Sequence, residues 1–266
     1  MQYTGPNFGL SEKIFLNLYC HPVCKREVNA KEPNQDRVDS LRSFAHFFGD
    51  RLLNDIQEKM VLDIGYGEGS ELIAAIEEGA KYGIGIQARD NYMASKKRAE
   101  MLGIGDKLTY TGKHLSELEP ASIDVALSKN AFNHYANPDQ VLRDTYKALK
   151  PGGKLFISFA PPWLHPYGVQ MFFMAKRPWA HFLFSEKTIL NVRKLYCSDG
   201  AERYEDIEDG HNRMTIRKFL EYVSYSQFGL EYLNLNLIRG VPNYFAKSSM
   251  LREFTTRTVS AILVKD

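Results

Sequence analysis

Cysteine is scarce in this 266-residue chain: Cys20, Cys24 and Cys197 are the complete set. An odd and sparse set excludes a disulfide framework and fits a reducing compartment. Cys20, His21 and Cys24 in "CHPVC" approach a metal-ligand spacing. No second cluster completes a tetrahedral site, so no metal is expected. Long apolar runs are also missing, since no window reaches the roughly 18 residues that a membrane span needs. The opening "MQYTGPNFGLSEKIF" has no basic start followed by an apolar stretch, which sets the expectation of a soluble, cytoplasmic chain. Charge of one sign is lacking too. Thirty-four basic residues against 32 acidic ones leave a net charge of +2, too little for a nucleic-acid surface, and no nucleic-acid partner is expected.

What the chain does have is 44% hydrophobic residues, enough to bury a substantial core. "VDSLRSFAHFFGDRLL" spaces Val38, Leu41, Phe44, Phe48 and Leu52 by three and four, which predicts one amphipathic helix. From residue 60, short apolar strands alternate with helices: "MVLDI", "SELIAAIEE", "YGIGI", "NYMASKKRAEML", "KLTYT", "IDVALS", "NPDQVLRDTYKAL" and "KLFISFA". That rhythm predicts a parallel sheet with helices on both faces. Gly79 suits the end of the first of these helices, Asn137 caps the helix that begins at Pro138, and "KPGGK" supplies the turn into the fifth strand. After Ala160 the rhythm breaks into an aromatic stretch, an acidic loop and a helix from Thr215. "LEYLNLNLIRG" and "TVSAILVKD" then read as two closing strands. The expected division is an N-terminal helical cap over 1–55, a core over 56–160, a lid insertion over 161–227 and closing strands over 228–266.

"VLDIGYGEGSE" joins the first strand to the first helix of the alternation, with glycines at 65, 67 and 69 and an acid at 63. Glycines there let a ligand approach main-chain N–H groups at a helix start. Dinucleotide sites use G-x-G-x-x-G against a pyrophosphate; here an acid stands where phosphate would be repelled, which suits a cationic ligand. Together with "IDVALSKNAFNH" and "LKPGGKLFI", residues 61–69 resemble the class I S-adenosylmethionine-dependent methyltransferases, in particular the small-molecule, type 11-like branch. The resemblance spans roughly residues 55–160 and the closing strands. It implies a Rossmann-like seven-stranded sheet in order 3-2-1-4-5-7-6, its last strand antiparallel, with an inserted helical lid. It also implies S-adenosylmethionine as cofactor and methyl transfer to a small molecule, most often a hydroxyl. Asp63, Gly65, Tyr66, Gly67 and Gly69 then fall at the cofactor's methionine and ribose end, Gln87 and Ala88 at the ribose, and Lys113, His114 and Leu115 at the adenine. Ser128 and Lys129 follow the fourth strand.

Two positions depart from the family pattern, because Gln87 and Lys113 stand where acids are usual. A neutral acceptor at the ribose forfeits about 1 kcal/mol relative to a charged one, roughly tenfold in affinity. Gln87, Arg89 and Lys113 also fit a 2′-phosphate, which leaves an NADP-dependent reductase as an alternative; Asp63 and the glycine spacing speak against it. A non-catalytic cofactor-binding relative is the other alternative. Methyl transfer needs little covalent help, so catalytic candidates are few: His134 after the fourth strand, and His165 with Tyr167 in "PPWLHPYG" after the fifth. Each also has a plain reading as a packed or loop-anchoring residue. The aromatic run from Trp163 to Phe184 reads as lid core, as an apolar acceptor pocket, or as a weak membrane-surface patch beside Lys176 and Arg177. Asp206, Glu208 and Asp209 form an acidic loop that is read as solvated rather than as a divalent-cation site. Nothing in the sequence sets an oligomeric state.

Overall fold

In the computed structural model, which describes residues 8–23, 37–87, 92–207 and 210–266, the strand runs pair as one sheet. The strands are β1 Met60–Ile64, β2 Tyr82–Ile86, β3 Leu108–Thr111, β4 Ile123–Lys129, β5 Leu149–Phe159, β6 Gly229–Leu237 and β7 Thr256–Val264. Their order is β3-β2-β1-β4-β5-β7-β6. Strands β1 to β5 pair in parallel, and β7 lies antiparallel between β5 and β6. This is the Rossmann-like α/β sheet and strand order that the resemblance implies.

Successive strand residues face opposite sides, and both sides are buried. On one face, Val61, Val125, Leu127 and Phe156 pack under three helices, α2 Arg37–Ala45, α3 Arg51–Asp55 and α4 Ser70–Glu77, through Leu41, Phe44, Phe48, Leu52 and Leu72. The other face presents Leu62, Ala126, Leu155 and Ile157 to Leu142 of α6 Pro138–Ala148 and Phe219 of α9 Ile216–Tyr225. A third apolar cluster lies in the segment after β5, where Val169, Met171, Met174, Ile189 and Leu190 gather around Phe15. Phe15 follows the N-terminal helix α1 Leu10–Ile14, whose Ser11 meets Thr188 of α8 Glu186–Arg193 at 3.2 Å. The remaining helices are α5 Tyr92–Met101, α7 Ala180–Leu183 and α10 Leu251–Thr255. No helix among the described residues is long and apolar enough to cross a membrane.

Three local readings change. The single helix expected over 38–52 is two, α2 and α3, separated by a turn at 46–50 in which Gly49 adopts φ +63°. The spacing held because Leu41, Phe44, Phe48 and Leu52 are all fully buried; a tight turn kept them on one side of the break. The "KPGGK" turn is drawn into β5, where the pairing with β4 shifts from Ile123↔Leu149 to Val125↔Lys154. The helix begun by Thr215, grouped in sequence with the lid, buries Ile216, Phe219 and Val223 against the sheet. It is the crossover between β5 and β6. The Asn137 cap forms as expected, its side chain accepting from the Gln140 N–H at 3.3 Å.

In the aromatic stretch, Phe172, Phe182 and Leu183 are exposed, as are Lys176 and Arg177. Of the two metal readings, Cys24, Glu208 and Asp209 lie outside the described residues. Cys20 is buried, its thiol pushed up to about 12 by that burial, and Asp206 accepts the Arg203 N–H at 3.0 Å.

Candidate functional site

The carboxyl edge of β1 opens into the glycine turn, where Gly65, Gly67 and Gly69 adopt φ of +77°, +55° and +76°. L-residues avoid this region, and at two of the positions space adds a second constraint. A Cβ on Gly65 would lie 2.8 Å from the Ala131 Cβ, and one on Gly69 would lie 2.6 Å from the Tyr110 hydroxyl. Backbone bonds fix the turn: the Gly65 N–H donates to the Ile86 carbonyl at 2.9 Å and the Gly69 N–H to the Tyr66 carbonyl at 2.8 Å. The Tyr110 hydroxyl donates to the Gly69 carbonyl at 2.9 Å, and its ring packs on Tyr66 with centroids 4.9 Å apart.

Beside this turn lies a cavity of about 310 Å³ lined by Asp63, Gly65, Tyr66, Gly67 and Glu68. Ser70, Glu71, Lys129 and Asn130 complete the lining. Asp63 is 2% exposed, and its Oδ2 has no hydrogen-bond partner. Burial, with the nearby Glu71 carboxylate, holds its carboxyl well above the usual range against the opposing pull of Lys129. An unpaired buried carboxylate is costly, and a cation placed in the cavity would relieve it. The Lys129 Nζ stands 2.7 Å from Glu71 Oε1 in the lining of the same cavity.

The structure therefore brings Asp63, Gly65, Tyr66, Gly67 and Lys129 to one cavity, with Gly69 at the start of α4. Ser128 lies beneath it, 1% exposed; its hydroxyl is 2.8 Å from that of Tyr135, which donates to the Ile64 carbonyl at 2.8 Å. Gln87 follows β2, half-buried, with its N–H donating to the Thr111 carbonyl at 3.4 Å. Ala88 lies outside the described residues. The adenine candidates are not part of the cavity wall. Lys113 is exposed, the His114 N–H is capped by Glu117 at 2.8 Å, and Leu115 is buried in the core of the second sheet face.

The three catalytic candidates stand outside the cavity as well. His134 Nδ1 donates to the Gly210 carbonyl at 2.8 Å, while Nε2 lies 3.1 Å from the Asn133 amide nitrogen and accepts from it. His165 Nδ1 accepts the Tyr167 N–H at 3.0 Å. Burial, helped by Arg257 and His181, pushes the His165 ring down to about 4, so it is neutral at pH 7. The Tyr167 ring packs on Phe172, with centroids 5.7 Å apart. Sequence reasoning missed Glu71, Tyr135 and His211. Burial and the neighbouring His134 push His211 down to about 4, and its ring meets Trp163 edge-on with centroids 5.1 Å apart. Only Glu71 carried a signal, as a second acid two residues beyond the glycine turn.

A family model of the methyltransferase domain matches residues 62–157. A ubiquinone biosynthesis O-methyltransferase from Idiomarina loihiensis is 34% identical over 104 residues, covering 38% of this chain and 42% of that relative. The chain thus spans less than half of that relative's length. In three dimensions, an S-adenosylmethionine-dependent methyltransferase from Mesorhizobium loti superposes with a TM-score of 0.55 at 18% identity, covering 85% of this chain and 99% of the other. A geranyl diphosphate methyltransferase solved in complex with S-adenosylmethionine gives a TM-score of 0.55 at 14% identity, over 89% and 93%.

Proposed function

We propose, from the premise that residues 62–157 belong to the methyltransferase-domain family, that the chain transfers a methyl group from S-adenosylmethionine to a small-molecule acceptor. The observation that carries this reading is the buried Asp63 carboxylate, whose Oδ2 lacks a partner at the mouth of a glycine-lined cavity. The residues fit the group: Asp63 would accept from the cofactor's ammonium, and the Gly65–Gly69 turn would let the ligand lie close to the main chain. Gln87 would hold its ribose.

When bound, the cofactor would supply an electrophilic methyl group on a sulfonium for transfer to the acceptor. The protein's part is to orient and to exclude water. His134, held by Gly210 and Asn133, fixes the loop after β4 beside the cofactor. His165 and Tyr167 shape the acceptor side from the loop after β5. A hydroxyl oxygen is the acceptor atom, its proton passing to bulk solvent on methylation, as implied by the family branch and in keeping with the name of the ubiquinone relative.

Calorimetry with S-adenosylmethionine, S-adenosylhomocysteine and NADPH tests the reading. The first two are expected to bind and NADPH to be inert; NADPH binding alone would replace methyl transfer with a reductase. Gln87→Glu tests the ribose end. A charged acceptor is worth about 1 kcal/mol more than a neutral one, so S-adenosylmethionine should bind several-fold tighter. Weaker binding would mean that the site around residue 87 is built for a more negative ligand.

A further inference from the structure

The cavity beside the glycine turn holds more charge than an ammonium ligand requires. Asp63 already offers a buried, unpartnered carboxylate oxygen. Glu68 in the glycine turn and Glu71 in the first turn of α4 add two further acids, and Lys129, the last residue of β4, adds a cation 2.7 Å from Glu71. Both partners of this pair are mostly buried, with side-chain exposures of 19% for Lys129 and 14% for Glu71. Among the described residues that line the cavity, Lys129 is the cation. An anion at Asp63 and a cation at Lys129 in the lining of one cavity are complementary to a zwitterion, the α-amino acid end of a nucleoside ligand.

We infer that Lys129 receives the α-carboxylate of the cofactor and that Glu71 occupies its ammonium until the ligand arrives. This rests on the methyl-transfer reading and deepens it. The exchange replaces one carboxylate with another at the same ammonium, so the partly buried lysine is never left without a counter-charge. A ligand that lacks a carboxylate cannot make the exchange and leaves the Lys129–Glu71 pair closed. The ion pair therefore selects for nucleosides that carry a complete amino acid, and Glu71 acts as an internal competitor for Lys129.

The test is calorimetric and does not depend on turnover. S-adenosylhomocysteine, which has the amino acid, and 5′-methylthioadenosine, which lacks it, are titrated into the wild-type chain and the Lys129→Met and Glu71→Gln variants. Lys129→Met is expected to weaken S-adenosylhomocysteine about tenfold or more, the effect of losing a charged hydrogen bond, and to leave 5′-methylthioadenosine within about twofold. Glu71→Gln removes the competitor and is expected to tighten S-adenosylhomocysteine while leaving 5′-methylthioadenosine unchanged. Equal losses for both ligands in Lys129→Met, or weaker S-adenosylhomocysteine binding in Glu71→Gln, overturn the inference, the latter because it makes Glu71 a ligand for the ammonium. Should Lys129→Met fail to fold, the sign of the Glu71→Gln change decides alone. A wild-type chain that binds neither ligand overturns the methyl-transfer reading itself; equal wild-type affinity for the two overturns both the Asp63 contact with the ammonium and the assignment of Lys129, whereas an equal loss for both ligands in Lys129→Met overturns Lys129 alone.

Discussion

Asp63→Asn is expected to weaken S-adenosylmethionine binding by about 10- to 100-fold, the factor that corresponds to one charged hydrogen bond. In the same variant the ligand-free protein should become more stable. Both effects come from one oxygen. Asp63 is 2% exposed with its Oδ2 unpartnered, and burial lifts its carboxyl well above its ordinary value of 3.8. The unfolded chain therefore gives up this proton at lower pH than the folded one. Stability contributed by the protonated form is complete below the unfolded value and is lost as pH rises from there through the raised folded value. Asn cannot ionise and keeps that stability across the window, so the pH profile of its melting temperature should be flatter. Binding has the opposite slope, because an ammonium pairs with the carboxylate and not with the acid. Affinity in the wild type should rise with pH through the same window, with a proton released on binding. Titrations in two buffers of different ionisation enthalpy read that proton directly. Binding by Asp63→Asn within about twofold of the wild type would remove Asp63 from the cofactor site.

Gly69→Ala should cost stability on a scale that its neighbour does not share. At φ +76° an L-residue pays roughly 1–2 kcal/mol. The new Cβ would also stand 2.6 Å from the Tyr110 hydroxyl and 2.7 Å from its ring. Tyr110 is 5% exposed and held by its bond to the Gly69 carbonyl, so it has little room to retreat, and such overpacking costs about 1–3 kcal/mol more. The sum, about 2–5 kcal/mol, is a large part of a typical domain's stability. Gly67→Ala provides the comparison, since nothing lies within 4 Å of its Cβ position and its φ is +55°. It should lose only the backbone part. Denaturant midpoints of the two variants separate the contributions; equal losses would mean that the Tyr110 contact carries no energy.

The fold was legible wherever the signal was local. Apolar runs, helix periodicity and the residues at Asn137 and Gly65–Gly69 each act within a few positions, and together they specify the sheet and the turn. The break between α2 and α3 was hidden because Leu41, Phe44, Phe48 and Leu52 keep helical spacing across it. The site was half legible for the same reason. Asp63, Gly65, Gly67 and Lys129 sit at strand ends, and alternation brings those to one edge. The Lys129–Glu71 pair joins residues 58 apart, and the bond that holds His134 comes from Gly210, 76 residues away; no periodicity encodes either. Lys113, His114 and Leu115 illustrate the opposite limit. They follow β3, where the resemblance implied the adenine, yet Lys113 and His114 are exposed and Leu115 is buried in the core.

The bond between His134 and Gly210 is one of a set. The Asn212 N–H donates to the Asn133 carbonyl at 3.0 Å, and the Asn212 side chain donates to the carbonyls of Phe132 and Tyr135 at 2.9 and 3.0 Å. Tyr135 in turn reaches the Ile64 carbonyl, next to the glycine turn. The segment before α9 and the floor of the glycine-turn cavity are thus joined by one continuous run of hydrogen bonds. Coupled sites obey reciprocity: on the methyl-transfer reading, whatever factor a molecule held by that segment imposed on cofactor affinity, the cofactor would impose on that molecule. The amide bonds near residue 212 are where such a coupling would be carried.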